Sequence, residues 1–182
     1  MPDSNSEEHA RHRLATDSDD GMLLIISGPS GVGKTTITRA VERSIPGSVF
    51  SVSATTRPKT AADVEGVDYQ FVSDNEFDRL ISENAFLEWA NVFGKRYGTL
   101  RGWVEEQLSR GRLVIVEIDV QGATNVKQQM PDAYGIFIEP PSEETLLERL
   151  RSRRRESEEV IQRRFACARR EIAEARAGQI YD

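Results

Sequence analysis

The stretch Met22-Leu23-Leu24-Ile25-Ile26-Ser27-Gly28-Pro29-Ser30-Gly31-Val32-Gly33-Lys34-Thr35 decides the fold. Its first five residues form a short, unbroken apolar run. The length of that run and the glycines after it predict a strand buried on both faces, as in a parallel sheet. Gly28-x4-Gly33-Lys34-Thr35 then matches G-x-x-x-x-G-K-[ST]. The glycines let the backbone curl so that several N–H groups point at one anion. A helix predicted from about Lys34 to Arg43 would present its positive end to the same anion. Lys34 would reach the β- and γ-phosphates of a nucleoside triphosphate, and the Thr35 hydroxyl would ligate Mg²⁺. By itself such a loop would serve a GTPase, an ATPase motor or a small-molecule kinase equally well.

Downstream, strand and helix alternate. Strands are expected at Val49 to Ser53, Ala85 to Phe93, Leu113 to Ile118 and Tyr134 to Ile138. Helices are expected from about Leu100 to Ser109, Gly122 to Gln129, Glu143 to Leu150 and Glu158 to Ala177. Ser73-Asp74-Asn75-Glu76 has the form of a capping box before a short helix with Phe77, Leu80 and Ile81 on one face. Ser142 is the expected N-cap after Pro140-Pro141. Thr56 to Gly66 reads as loop. The alternation predicts an α/β fold with a parallel sheet flanked by helices.

Length and composition agree: 182 residues suffice for one α/β domain, and 30% charged residues against 38% hydrophobic is polar but globular. The first 21 residues carry six acids and two arginines, so most of the formal charge of −6 belongs to this segment. Nearly free of large apolar side chains, residues 1–21 are expected to be a disordered acidic tail. The remaining charge lacks the basic excess of a nucleic-acid binder. Cys167 is the only cysteine, which excludes an internal disulfide and fits a reducing compartment. There is no signal-peptide pattern and no apolar run of membrane-spanning length. A cytoplasmic protein is therefore expected, with no membrane or nucleic-acid polymer as partner.

The segment from Ser53 to Thr99 holds groups suited to a nucleotide. Arg57 and Lys59 follow a Ser-Ala-Thr-Thr stretch, and Tyr69 and Tyr97 offer hydroxyls. Glu88 lies within the apolar run Phe86-Leu87-Glu88-Trp89, where a charge is unfavourable without a partner. A carboxylate there could accept from guanine N1–H and the 2-amino group, a donor pair that adenine lacks. The bland alternative is an outward residue on an edge strand. Arg149, Arg151, Arg153, Arg154 and Arg155 put five cations in seven residues, a pattern common in solvated helix ends.

Several motifs together resemble the guanylate kinase family. They are Ser27 to Thr35, Ser51-Val52-Ser53-Ala54-Thr55-Thr56-Arg57-Pro58, Gly66 to Val72, Phe86 to Ala90, Tyr97-Gly98-Thr99, Glu117 to Ala123, Ile136 to Ser142 and Ser157 to Ile161. The resemblance runs from about residue 22 to 182. It implies γ-phosphoryl transfer from ATP to GMP with Mg²⁺, a step of purine nucleotide metabolism, with dGMP as a further acceptor. It also implies a P-loop kinase core (22–53 and 105–148), a small GMP-binding α+β insert (54–104), a helical lid (about 149–160) and a last helix returning to the core.

In the roles so implied, Gly28, Pro29, Ser30, Gly31, Val32, Gly33, Lys34 and Thr35 hold ATP, with Thr35 at the metal. Ser53 and Glu88 read guanine, and Thr99 helps at the base. Arg57, Tyr69 and Tyr97 hold the GMP phosphate. Glu117 and Asp119 lie near the GMP ribose, the metal waters or both. Lys34, Arg57, Arg149, Arg153 and Arg164 supply catalytic charge. A related kinase for another phosphorylated acceptor would not need Ser53 and Glu88. A catalytically impaired guanylate-kinase-like binding module typically lacks the phosphate loop.

Two departures from the family stand out. Thr60 occupies the position of a usual second GMP-phosphate arginine, so weakened GMP binding is expected, and Thr60→Arg is expected to lower KM. The chain also stops at Tyr181-Asp182, where family members continue into a strand and helix. A truncated sequence with one exposed sheet edge and an incomplete adenine site is expected.

Overall fold

The computed structural model describes residues 20–92, 94–152 and 157–182. The predicted acidic tail therefore lies outside the described residues except for its last two, as do Arg153, Arg154 and Arg155. One sheet is built from β1 (Met22–Ser27), β2 (Val49–Phe50), β7 (Leu113–Glu117) and β8 (Tyr134–Phe137), in the order β2-β7-β1-β8. All its pairings are parallel. Alternate side chains of β1 feed opposite faces, because successive strand residues point to opposite sides. Leu23 and Ile25 join Val114, Val116 and Ile118 in one apolar cluster. Leu24 and Ile26 join Leu113 and Ile115 in the other. Helix α1 (Lys34–Ser44) covers the second face with Val41 and Ile45. Helices α3 (Arg101–Ser109) and α4 (Val120–Gln129) cover the first with Val104, Ala123 and Val126. A strand flanked on both sides needs this unbroken apolar run, which is why its first residues alone announced it.

The second sheet has the order β4-β3-β6-β5, from β3 (Ala54–Thr55), β4 (Gln70–Phe71), β5 (Phe86–Val92) and β6 (Lys95–Leu100). The expected strand Val49 to Ser53 is thus corrected. Only Val49 and Phe50 pair in the first sheet; the chain then crosses to the second, where Ala54 and Thr55 pair with β4 and β6. Two-residue strands carry no periodic signal, so the break was hidden. β6 escaped sequence reading because Lys95-Arg96-Tyr97-Gly98-Thr99 has little apolar content; it is held by antiparallel pairing with β5.

Helix α2 (Asp74–Ser82) closes this sheet. The Ser73 side chain accepts from the Glu76 N–H at 3.1 Å, as the capping pattern predicted. The Glu76 carboxylate pairs with Arg79. Phe77 is fully buried against Phe86, with ring centroids 4.5 Å apart. Arg96 lies over the Phe77 ring at 4.8 Å and bonds to Asp74 and Asp78, tying β6 to α2.

Helices α5 (Glu143–Ser152) and α6 (Glu158–Ala177) share a cluster of Leu146, Leu150, Ile161, Ala168 and Ile172. Arg151 pairs with Glu158 and so bridges the end of α5 to the start of α6. The last residues lie beside β8. Asp182 N–H donates to Gly135 O at 2.9 Å, and its carboxylate accepts from Gly135 N–H and from Lys127. The expected bare edge is therefore covered at Gly135, while Tyr134 and Ile136 stay exposed.

Candidate active site

The phosphate loop leaves the C-terminal end of β1, between neighbours β7 and β8. Ligands of open parallel sheets bind at this end of the strands. Gly33 is the N-cap of α1 and has φ of 102°, a left-handed conformation that favours glycine. It offers no capping side chain, and the first turn of α1 contains no acid. The positive end of α1 thus meets no carboxylate from its own first turn. Lys34 Nζ donates to Gly28 O at 2.7 Å and Pro29 O at 3.3 Å, so its ammonium lies across the mouth of the loop.

Thr35 Oγ1 donates to Glu117 Oε1 at 3.0 Å. Burial raises the Glu117 pKa above its ordinary value, while Lys34 and the Thr35 hydroxyl act in the opposite direction. Among the described residues, no group of three or more His, Cys, Asp or Glu side chains clusters as a metal site. The basic residues of α5 and α6 reach the loop directly: Arg149 donates to Val32 O at 2.8 Å, and Arg164 to Ser30 Oγ at 2.6 Å.

One cavity of about 680 Å³ runs from this loop to the second sheet. Lys34, Glu117 and Arg164 line one part, and Ser53, Glu88 and Tyr97 another. Sequence positions 28 to 171 thus converge on one space. Glu88 points into the cavity and is 8% exposed, so it is not the outward edge residue of the bland alternative. The Thr99 hydroxyl, itself buried, donates to Glu88 Oε1 at 2.7 Å. Burial raises the Glu88 pKa to about 7; Asp119 adds like-charge repulsion, and the Thr99 bond pulls the other way.

Tyr69 and Tyr97 stand edge to face, with centroids 5.6 Å apart. Burial raises the Tyr69 pKa. The Arg57 guanidinium sits 5.0 Å from the centre of the Tyr69 ring and forks onto both oxygens of Asp63 at 2.8 and 3.0 Å.

Sequence reasoning missed three contributors. Asp63 holds Arg57. Gly122 sits where a Cβ would lie 2.8 Å from Glu88 Oε2 and 3.3 Å from Asp119 Oδ1, so a side chain there would press on both carboxylates at the start of α4. Asp119 caps that helix, accepting from Gly122 N–H at 2.7 Å. Glu171 is a partly buried carboxylate of the cavity, its pKa raised by burial. Its helical stripe with Val160, Arg163, Arg164 and Cys167, at positions i, i+3, i+4, i+7 and i+11, was present in the sequence. Nothing in the periodicity said that it faced a cavity.

A phosphate loop at the end of a parallel sheet, with a second sheet facing it across one cavity, defines a P-loop phosphotransferase with room for donor and acceptor. Comparison with known proteins narrows this. The family model described as guanylate kinase matches residues 20–182. A guanylate kinase of Symbiobacterium thermophilum is 49% identical over 162 residues, covering 89% of this chain and 75% of the relative. One from Thermobifida fusca is 51% identical over 151 residues, covering 83% and 77%. The crystal structure of guanylate kinase from Anaplasma phagocytophilum superposes with a TM-score of 0.68 at 34% identity, covering 91% of this chain and 76% of that one. The chain belongs to the guanylate kinase family.

Proposed function

We propose that the chain transfers the γ-phosphoryl group of ATP to GMP, releasing ADP and GDP. The observation that carries this reading is the single cavity shared by the phosphate loop and the buried Glu88. The loop supports the donor assignment of Gly28 through Thr35, with Lys34 lining the cavity on the loop side. Ionised Glu88, with one oxygen held by Thr99, offers its remaining lone pairs to guanine N1–H and the 2-amino group. Ser53 lines the same half and is assigned to the base. Arg57, Tyr69 and Tyr97 are assigned to the acceptor phosphate. An acceptor without the donor pair leaves the carboxylate unpaired, and sites that depend on such hydrogen bonds reject analogues by factors on the order of 10⁴.

Phosphoryl transfer demands positioning and positive charge, since the transition state spreads negative charge over the transferred oxygens. Arg149 and Arg164 supply that charge from the lid side, and their bonds to Val32 and Ser30 support the assignment. Arg153, which lies outside the described residues, is assigned with them. Closure of this region over the phosphates would exclude water.

Mg²⁺ fits the corner of Thr35 and Glu117, because it takes one or two protein oxygens beside phosphates and water. When bound it would neutralise charge on the β- and γ-phosphates. The three-part division into core, acceptor-binding insert and lid belongs to the same proposal, as does a cytoplasmic location. No helix among the described residues is long and apolar enough to cross a membrane.

A coupled assay of ADP formation with GMP, dGMP, AMP and UMP tests the reading. Turnover with GMP and dGMP alone is expected. Absence of GMP-dependent ADP, or comparable turnover with AMP or UMP, would overturn it.

A further inference from the structure

The structure assigns Asp63 and Thr60 as positioning residues for Arg57, an inference that rests on the acceptor-phosphate reading of Arg57. The Arg57 guanidinium uses Nη1 and Nη2 on the two oxygens of Asp63, and Nη1 also donates to Pro58 O at 3.1 Å. Asp63 is itself anchored. Its Oδ2 accepts from the Thr60 N–H and the Thr60 hydroxyl, both at 2.7 Å. The Arg57 N–H donates to Thr55 Oγ1 at 3.0 Å, which fixes the start of the side chain on β3. Tyr69 and Phe71 flank the guanidinium, at 5.0 and 5.3 Å from the ring centres. The cation is thus held by its backbone, its two flanking rings and the fork.

An arginine ordinarily samples many rotamers, and ordering it on a ligand is unfavourable by an amount that prior anchoring removes. The fork onto Asp63 takes one edge of the planar guanidinium. The edge carrying Nε and the second Nη2 hydrogen faces away from that carboxylate and is the one that can meet a phosphate. The acceptor phosphate therefore meets an arginine already oriented by a carboxylate that two Thr60 donors hold in place. Thr60 does not stand in for a second cation; its hydroxyl serves the first. Lys59, the nearest other cation of the loop, lies 5.9 Å from the centre of the Phe71 ring and is exposed. An arginine at position 60 would exchange the hydroxyl bond for a second cation, so Thr60→Arg mixes two opposed effects. Thr60→Val isolates the first, because it keeps shape and backbone donor and loses only the hydroxyl.

The experiment is steady-state kinetics of the full chain with ATP and GMP. Asp63→Asn is expected to raise KM for GMP on the order of tenfold, and Thr60→Val several-fold, with KM for ATP within twofold of wild type. An unchanged KM for ATP also certifies that each variant is folded. A double-mutant cycle with Arg57→Ala supplies the readout that a merely structural role would not move: Asp63→Asn is expected to add nothing once Arg57 is gone. Additive effects in the cycle would overturn the inference. So would a KM for GMP that falls in Asp63→Asn, because Asp63 would then compete with the phosphate rather than orient its ligand. So would Asp63→Asn and Thr60→Val both within twofold of wild type. Wild-type protein without GMP-dependent turnover would instead sink the functional reading, and is separable from every one of these results.

Discussion

Replacing Glu88 with Gln should stabilise the protein at pH 8 while removing its acceptor selectivity. Burial raises the Glu88 pKa from an ordinary value near 4.5 to about 7. The neutral form is therefore favoured on folding. For a carboxyl raised in this way, the stabilising contribution is fully present below the unfolded value, near pH 4.5, and is lost as pH climbs through about 7. At about 1.4 kcal/mol for each tenfold, the difference between the ends of that window is about 3 kcal/mol. A glutamine keeps the shape and can still accept from Thr99, but does not ionise. Urea titrations of both forms at pH 5 and pH 8 provide the assay. Wild type and variant should lie close together at pH 5. At pH 8 the variant should be more stable by up to about 3 kcal/mol, or a Tm gain of roughly 5–10 °C. In the same variant kcat/KM for GMP should fall by on the order of 10²-fold or more, since an amide cannot accept from both guanine donors. Wild-type KM for GMP should rise as pH falls from 8 to 6, beyond any change seen in the Gln variant. A stability gap between the two proteins that stays constant from pH 5 to pH 8 would refute the reasoning, because it would mean that Glu88 does not titrate in that window.

Two further substitutions probe the same architecture. Gly122→Ala places a Cβ 2.8 Å from Glu88 Oε2, so KM for GMP should rise about tenfold with KM for ATP unchanged; equal values for GMP would show that Glu88 shifts without consequence. Phe77→Ala empties the centre of the cluster joining α2 to the second sheet, and denaturant unfolding should report a loss of about 3–5 kcal/mol; a loss under about 1 kcal/mol would contradict the packing described.

The separation between sequence and tertiary structure runs along physical lines. The phosphate loop was legible because its function lies in contiguous backbone: a buried strand, glycines free to turn, and a helix start, all within fourteen residues. The parallel sheet was legible because burial on both faces imposes unbroken apolar runs such as Leu113 to Val116. Glu88 stood out because a carboxylate amid apolar neighbours is costly wherever it lies. The crossing of the chain from one sheet to the other between Phe50 and Ala54, and the strand β6, were not legible, because their pairing partners lie far away in sequence. The same holds for the site's supporting groups. Asp63 is one acid among many until the loop folds it onto Arg57, and Gly122 is an ordinary helical glycine until Glu88, 34 positions earlier, packs against it. By itself the sequence determined which chemical groups the protein owns and which local backbone shapes they require. Which carboxylate holds which arginine, and that the phosphate loop and the buried Glu88 share one cavity, depended on long-range packing, because hydrogen bonds and burial depend on distance in space rather than along the chain.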